Sequence, residues 1–345
     1  MTTHLLTSNL RFGIAVTAFT FGALLAGGAN AQDPKSIKFM MNSPAAGYNA
    51  GFELAQVNGY YKDAGLDVTI EPGNGSGTTA QLIAAGRYNI GYADAAAVMN
   101  LIKDGAKITI VATILQSSPN QVTALEKSGI SKITDIKGKK VAIPNGYSQA
   151  AMWPLVLKNI GLTMQDIIPI NMPAESMVAS LLQGQVDVIL GSNDNFGVLL
   201  KQQGAKTVDF LFSDHGSATV STGIIAGTDF LEKNPEVVKA FVAASLKGWY
   251  ATIDNNAAGL AAMSAVFPDA KKELAPGQLD ATQVLMCANG AKFVGKATAD
   301  QWDNTVKTLS AIGILPSSKP ATDYYSHAYL PPDAALRTCP LKKPS

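Results

Sequence analysis

The residues best placed for chemistry lie between Leu66 and Asp94. Gly75, Gly77 and Ala80 follow a short run of alternating polar and β-branched residues at 67–70. They lead into helix-forming residues at 80–85. Glycine there lets backbone N–H groups face a ligand, and a helix start favours partial negative charge beside it. With Asp94 nineteen residues after Gly75, the spacing also matches the G-x-G-x-x-A dinucleotide fingerprint. That match is weak, because the loop follows the second strand of its unit, whereas the fingerprint belongs to the first. The simpler expectations are a ligand-facing loop, or a tight turn with Ser76 or Thr78 as helix cap.

Catalytic patterns are thin elsewhere. His215 and His327 fall in irregular segments rich in Gly, Ser and Tyr. No G-x-S-x-G elbow occurs, and no His, Cys and carboxylate residues share a metal-ligand spacing, so neither a metal nor a cofactor is expected. What recurs at the ends of strand-like runs is uncharged polar and aromatic. In the first part of the chain these candidates are Asn42, Ser43, Tyr48, Ser76, Gly77, Thr78, Tyr92 and Gln116. In the second they are Asn145, Tyr147, Ser148, Gln149, Trp153, Ser192 and Asn193. Three acids join them, Asp94, Glu175 and Asp194. Ordinary edge packing is the alternative for the tyrosines, and a helix N-cap for Asp94 and Asp194. Glu175 sits behind Pro173 where a strand ends, and is either a ligand contact or the first turn of the next helix.

These residues need elements to position them. Residues 37–41, 67–70, 88–92 and 108–115 read as strands, with helices at 50–57, 80–85 and 95–102 between them. The last strand is apolar throughout, as a buried parallel strand should be. The Gly75 loop and the Tyr92–Asp94 exit are expected at the carboxyl ends of neighbouring parallel strands, where ligands of open α/β sheets bind. The same grammar restarts near Gln121, with strands at 141–143, 167–171 and 186–190 and helices at 150–160, 177–183 and 196–203. Strands at 207–212 and 220–226 follow, and the second is where the chain returns to the first unit. Helices at 230–253, 257–266, 279–287 and 299–312 and a Pro-rich tail complete the chain. The expectation is an α/β protein of two lobes, 35–116 plus 223–345 and 117–222.

Composition narrows the class. The 345 residues are 47% hydrophobic and 15% charged, with net charge +1, so no basic face for nucleic acid is expected. Only Arg11, Arg87 and Arg337 are arginine. Residues 1–31 read as a signal peptide. An apolar stretch at 12–25, too short to span a bilayer, precedes the small-x-small site Ala29-Asn30-Ala31. The mature protein is expected to be exported and soluble. Two cysteines in an exported chain, Cys287 and Cys339, favour a disulfide over two buried thiols.

One family resembles this chain. The residues that carry the likeness are Tyr60-Tyr61-Lys62-Asp63-Ala64-Gly65-Leu66-Asp67-Val68, the Gly-Ser-Gly loop, and Ile83-Ala84-Ala85-Gly86 followed by Ile90-Gly91-Tyr92-Ala93-Asp94. Ile133-Thr134-Asp135-Ile136-Lys137-Gly138-Lys139 and Leu181-x-x-Gly184-x-Val186-Asp187 extend it. Together they resemble substrate-binding proteins of ATP-binding-cassette (ABC) importers, in the branch with nitrate, sulfonate, taurine and thiamine-pyrimidine-precursor binders. The resemblance implies a periplasmic-binding-protein fold, type II-like, with a small-molecule ligand closed between two lobes. It also implies a periplasmic location, an ABC permease in the inner membrane as partner, a monomer, and binding without catalysis. Yeast-type pyrimidine synthases share this fold, but carry a cysteine-rich motif and an active-site histidine in the first lobe that are absent here. The alternative from another class is a secreted enzyme on the same fold. Sulfonate and nitrate members often use a positive residue or helix N-termini. Here no arginine is expected in a cleft loop, so an anion would rest on the helix starts at Gly77-Thr78 and Tyr147-Ser148. A planar ligand with N–H donors would instead use Glu175 and Asp94 between tyrosines, and this pyrimidine-like type is slightly favoured.

Overall fold

Alternate residues of Lys35–Met40 (β1) and Leu66–Glu71 (β2) are apolar and buried, the period of strands with one covered face. They pair in parallel, Ile37 opposite Val68 and Phe39 opposite Ile70. The computed structural model describes residues 34–311, 313–316 and 319–341. The expected signal peptide lies outside the described residues. Between and after these strands come α1 (Ala50–Val57), α2 (Tyr60–Asp63), α3 (Ser76–Ala84), β3 (Ile90–Asp94), α4 (Ala95–Lys103) and β4 (Ile108–Thr113). The middle of the chain supplies β5 (Asn120–Leu125), β6 (Lys140–Pro144), α5 (Ser148–Asn159), β7 (Ile168–Met172), α6 (Ala174–Leu182), β8 (Val188–Ser192), α7 (Val198–Gln202) and β9 (Thr207–Leu211). β10 (Thr222–Gly227) precedes α8 (Thr228–Lys233), α9 (Pro235–Asp254), α10 (Asn256–Val266), α11 (Ala275–Met286) and α12 (Ala299–Ser310).

Two five-stranded mixed sheets result, ordered β2-β1-β3-β10-β4 and β7-β6-β8-β5-β9. In each, one strand from across the chain is inserted antiparallel: β10 between β3 and β4, and β5 between β8 and β9. The chain passes between the sheets twice, at residues 114–119 and 212–221. These crossovers are bonded to each other: Ser221 N donates to Leu115 O (3.0 Å), and Leu115 N donates to Thr222 O (3.0 Å).

Two expectations change. The Gly75 loop and the Asp94 exit are not on neighbouring strands, because β1 lies between β2 and β3. β4 is not an internal parallel strand but an edge paired antiparallel to β10. Its apolar character follows from being covered. Ile110 N donates to Tyr324 O (3.0 Å), Ser326 N to Ile110 O (2.9 Å) and Thr113 N to Gly295 O (2.9 Å), so the C-terminal segment closes this edge.

The first sheet is backed by α1 and α9, which approach closely through Gly51 and Gly248. A methyl group at Gly51 would overlap the Trp249 ring. Phe52 meets Phe39, Tyr92 and Trp249 with ring centroids 4.9, 4.9 and 5.6 Å away. Emptying such a site, as in Phe52→Ala, typically costs about 3–5 kcal/mol. At the end of α11, Cys287 is joined to Cys339 across 52 residues, tying the tail to the body. Within α1, Glu53 is fully buried, and neither carboxylate oxygen has a hydrogen-bond partner among the described residues. Burial holds its carboxyl well above the usual range, so it is neutral in the folded protein.

Two outcomes follow. Cys339→Ser is expected to remove about 4 kcal/mol, the loop-closure entropy of a 52-residue loop, and to lower Tm by roughly 6 °C. An unchanged Tm in a thermal melt would show that the bridge does not staple the tail. For Glu53, the folded protein keeps a proton that the unfolded chain releases above about pH 4.5, so stability declines as pH rises past that value. Glu53→Gln should flatten this decline, giving a gain over the wild type at pH 8 that is absent at pH 4. Parallel decline in both proteins, measured by urea unfolding, would contradict a neutral Glu53.

Candidate functional site

In both sheets the parallel strands end, and the inserted antiparallel strand begins, at the same cleft. That geometry brings distant polar residues to one cavity of about 80 Å³. From the first sheet come Asn42 and Ser43 after β1, Tyr48 before α1, Ser76 at the start of α3, and Tyr92 and Asp94 at the end of β3. From the second come Tyr147, Ser148 and Gln149 at the start of α5, and Ser192 at the end of β8. Asp194 follows in a π-helical turn, Asn193–Gly197.

The turn before α3 needs glycine for two reasons. Gly75 has φ +95°, and a Cβ there would lie 2.6 Å from the Gly146 carbonyl oxygen of the opposite lobe. Gly77 N donates across the same seam to Gly146 O (3.3 Å). Gly77 and Thr78 therefore form the lobe-to-lobe seam and do not line the cavity. A second tie crosses at Gln278 of α11. Its Nε2 donates to Asn195 Oδ1 (3.3 Å), while its Oε1 accepts from Gly47 N (3.1 Å).

Asp94 combines the two roles expected of it. Its carboxylate caps α4 by accepting from Ala96 N (3.0 Å), accepts from the Ser221 hydroxyl (2.8 Å), and lines the cavity. Burial raises its pKa, and those hydrogen bonds hold the rise in check. Asp194 is 7% exposed. Burial pushes it up to about 6, restrained by the Ser192 hydroxyl and a backbone amide. Tyr92 and Tyr48 are raised chiefly by burial. The field of Asp194 adds to both, and that of Asp94 to Tyr92. The Tyr92 hydroxyl has no hydrogen-bond partner among the described residues. Gln149 donates to Gly191 O (3.1 Å), which leaves its Oε1 unpaired.

The remaining candidates lie off the cavity. Gln116 is buried within the first crossover, donating to Thr113 O (3.0 Å) and Phe293 O (3.5 Å). Asn193 is held by its backbone, N donating to Pro119 O (3.0 Å). Glu175 is exposed in the first turn of α6, where its charge complements the helix dipole. It reaches the site only as a field that helps raise Tyr147 after burial. Asn145 is exposed, and Trp153 is core, stacked on Phe212 at 5.9 Å. Sequence reasoning missed Asn120, Ser221 and Thr222, which line the cavity where the crossovers lead into β5 and β10. Asn120 Nδ2 donates to Ser148 Oγ (3.2 Å). Their signal was available, a polar run at each point where the chain changes sheets.

Among the described residues, no Lys, Arg or His lines the cavity. Among the described residues no group of three His, Cys, Asp or Glu is placed to hold a metal, and no helix is long and apolar enough to cross a membrane. The site can therefore order a small ligand through hydroxyls, amides, phenols and two acids.

The comparisons with known proteins agree with this architecture. A family model described as NMT1/THI5 like matches residues 47–258. The 4-amino-5-hydroxymethyl-2-methylpyrimidine phosphate synthase of Candida albicans is 27% identical over 221 residues, covering 60% of this chain and 64% of that protein. The riboflavin-binding protein RibY of Chloroflexus aurantiacus is 23% identical over 214 residues, covering 60% and 59%. The chain thus spans less than two thirds of the length of these curated relatives. The alkanesulfonate-binding protein SsuA of Xanthomonas axonopodis pv. citri superposes with TM-score 0.67 at 15% identity, over 86% of this chain and 99% of that one. The periplasmic nitrate-binding protein NrtA of Synechocystis PCC 6803 gives 0.62 at 16%, over 87% and 88%. At these identities the likeness is one of fold, the periplasmic-binding-protein fold. By fold and by the match over most of its length, the chain belongs to the NMT1/THI5-like family.

Proposed function

We propose that this protein is the exported solute-binding component of an ABC importer. As a monomer in the periplasm it captures a small organic molecule and delivers it unchanged to a permease in the inner membrane. Its lobes are 35–116 plus 223–345 and 117–222. The observation that carries this reading is the cavity of about 80 Å³ lined from both sheets, with a glycine seam on one side and the paired crossovers on another. Two bonded crossovers make a hinge, so the sheets can part and close as bodies. A ligand that touches both lobes favours the closed state by its extra contacts there, and the permease reads that state.

A second reading, a secreted enzyme acting on a small heteroaromatic compound, is favoured by the curated relatives named as synthases. Against it, the cavity lining among the described residues contains no histidine and no cysteine. Both cysteines are bonded to each other at the tail.

A thermal-shift screen of pyrimidines, amines, sulfonates and aromatic carboxylates should find a compound that raises Tm and is recovered unchanged. A ligand at about 100 times its Kd stabilises by about 2.7 kcal/mol. Conversion of the compound would favour the enzyme, and a flat screen would count against capture altogether. Closure is tested separately by Gly77→Leu. A Cβ at Gly77 meets Gly146 O at 3.2 Å, so a larger side chain holds the seam apart without needing left-handed backbone. The variant should keep its ligand-free Tm, lose at least tenfold in affinity for the screened compound, and show no ligand-induced contraction by small-angle scattering. Wild-type affinity in this variant would mean that binding does not need the closed seam.

A further inference from the structure

The capture reading leaves the ligand's charge open, and the cavity bears on it. Its charged lining consists of two acids delivered from opposite lobes, Asp94 from β3 and Asp194 from the turn after β8. Both fields reach the Tyr92 phenol, which is 2% exposed, lines the same cavity and has no hydrogen-bond partner among the described residues. Closing the lobes therefore brings two carboxyl groups into one desolvated space with no cation in the lining. That arrangement is unfavourable until something positive enters.

The features that would hold an anion are largely spent. At the start of α3, Gly77 N is bonded to Gly146 O, and the start of α4 is capped by Asp94 itself. The start of α5 does open on the cavity through Ser148 and Gln149. Its dipole is worth about half a positive charge, less than two carboxylates can oppose. It suits an acceptor atom on the ligand better than a full negative charge. The two acids also differ. Asp94 already accepts from Ala96 N and the Ser221 hydroxyl, whereas Asp194 in its π-helical turn carries no comparable tie to the opposite lobe.

We propose that the cleft selects a small organic cation, an amidinium- or protonated-amine-bearing compound. Its N–H groups bind the Asp194 carboxylate of lobe two while its charge offsets Asp94 of lobe one. The cation is then both cargo and trigger, because it compensates the burial of an acid from each lobe in the closed state. The inference rests on the capture reading and adds a sign to it.

The groups that set the local field are Asp94, Tyr48 and Tyr92 from the first lobe and Tyr147 from α5, with the Glu175 field beyond it. A bound cation needs Asp194 ionised, and burial has pushed that group up to about 6. Cation affinity is therefore full above pH 7 and declines as pH falls through 6. A ligand that needed the protonated acid as donor would show the reverse.

The test uses three planar compounds of one shape and different charge, benzamidine, benzamide and benzoate, titrated calorimetrically into the mature protein. Benzamidine should bind at least tenfold more tightly than the other two at pH 7.5 and weaken about tenfold by pH 5. Asp194→Asn should bring benzamidine affinity down to that of benzamide at pH 7.5 and remove its pH dependence. Benzoate binding as tightly as benzamidine, or no binding by any of the three, would overturn the proposal. Independently, the compound retained by protein purified from periplasm should prove cationic when released and identified by mass spectrometry. A sulfonate or carboxylate there would overturn the charge assignment and leave capture standing. No retained compound and a flat screen would remove both.

Discussion

Two carboxyl groups line one cavity between two sheets, and among the described residues no positive side chain lines it with them. Much of the site can be read as a response to that constraint. Asp94 is made tolerable by the Ser221 hydroxyl and the first amides of α4, which lets an acid sit 3% exposed at a strand end. Asp194 has fewer such supports, so its proton affinity rises to the edge of the physiological range. The tyrosines around them stay neutral, because burial and the acids both oppose a phenolate.

The rest of the fold holds these groups in register. Each sheet receives one antiparallel strand from the other end of a crossover, so the four parallel strands of each sheet end, and the two inserted strands start, toward one cleft. The crossovers at residues 114–119 and 212–221 are bonded side by side, which is where the proposed closure would bend. Lobe one must be stiff for this to work. Its stiffness comes from the aromatic packing of Phe39, Phe52 and Trp249, the glycine-mediated contact of α1 with α9, and the tail fastened through Cys287 and Cys339. The buried neutral Glu53 lies within α1, away from the seam, and is a cost carried by the same packing.

The strands and most helices are legible in the sequence, because alternation in residues such as Ile37, Phe39, Val68 and Ile70 is a direct consequence of one covered face. Their order is less so. An edge strand roofed by a C-terminal segment is as apolar as an internal one, and Ile110 looks the same either way. In the site, polar residues just past strand ends are legible as a class, since the carboxyl edge is where an α/β sheet leaves room. Which of them turn inward is not. Glu175 and Asp194 both follow a strand, yet the first faces water on α6 and the second is turned into the cavity by a π-helical turn that local sequence does not announce. Asn120, Ser221 and Thr222 sit where the crossovers lead into β5 and β10, and their place depends on which sheet each strand joins.

Closure around a ligand is the claim on which the account stands, and an interlobe distance tests it most directly. Gln81 and Gln185 are exposed on opposite lobes. With spin labels at Gln81→Cys and Gln185→Cys, pulsed electron resonance can record the separation in protein stripped of small molecules and again after the compound released from native protein is added back. The account expects a broad, longer distribution that collapses to a single shorter distance on addition. The same distribution in both states would contradict it.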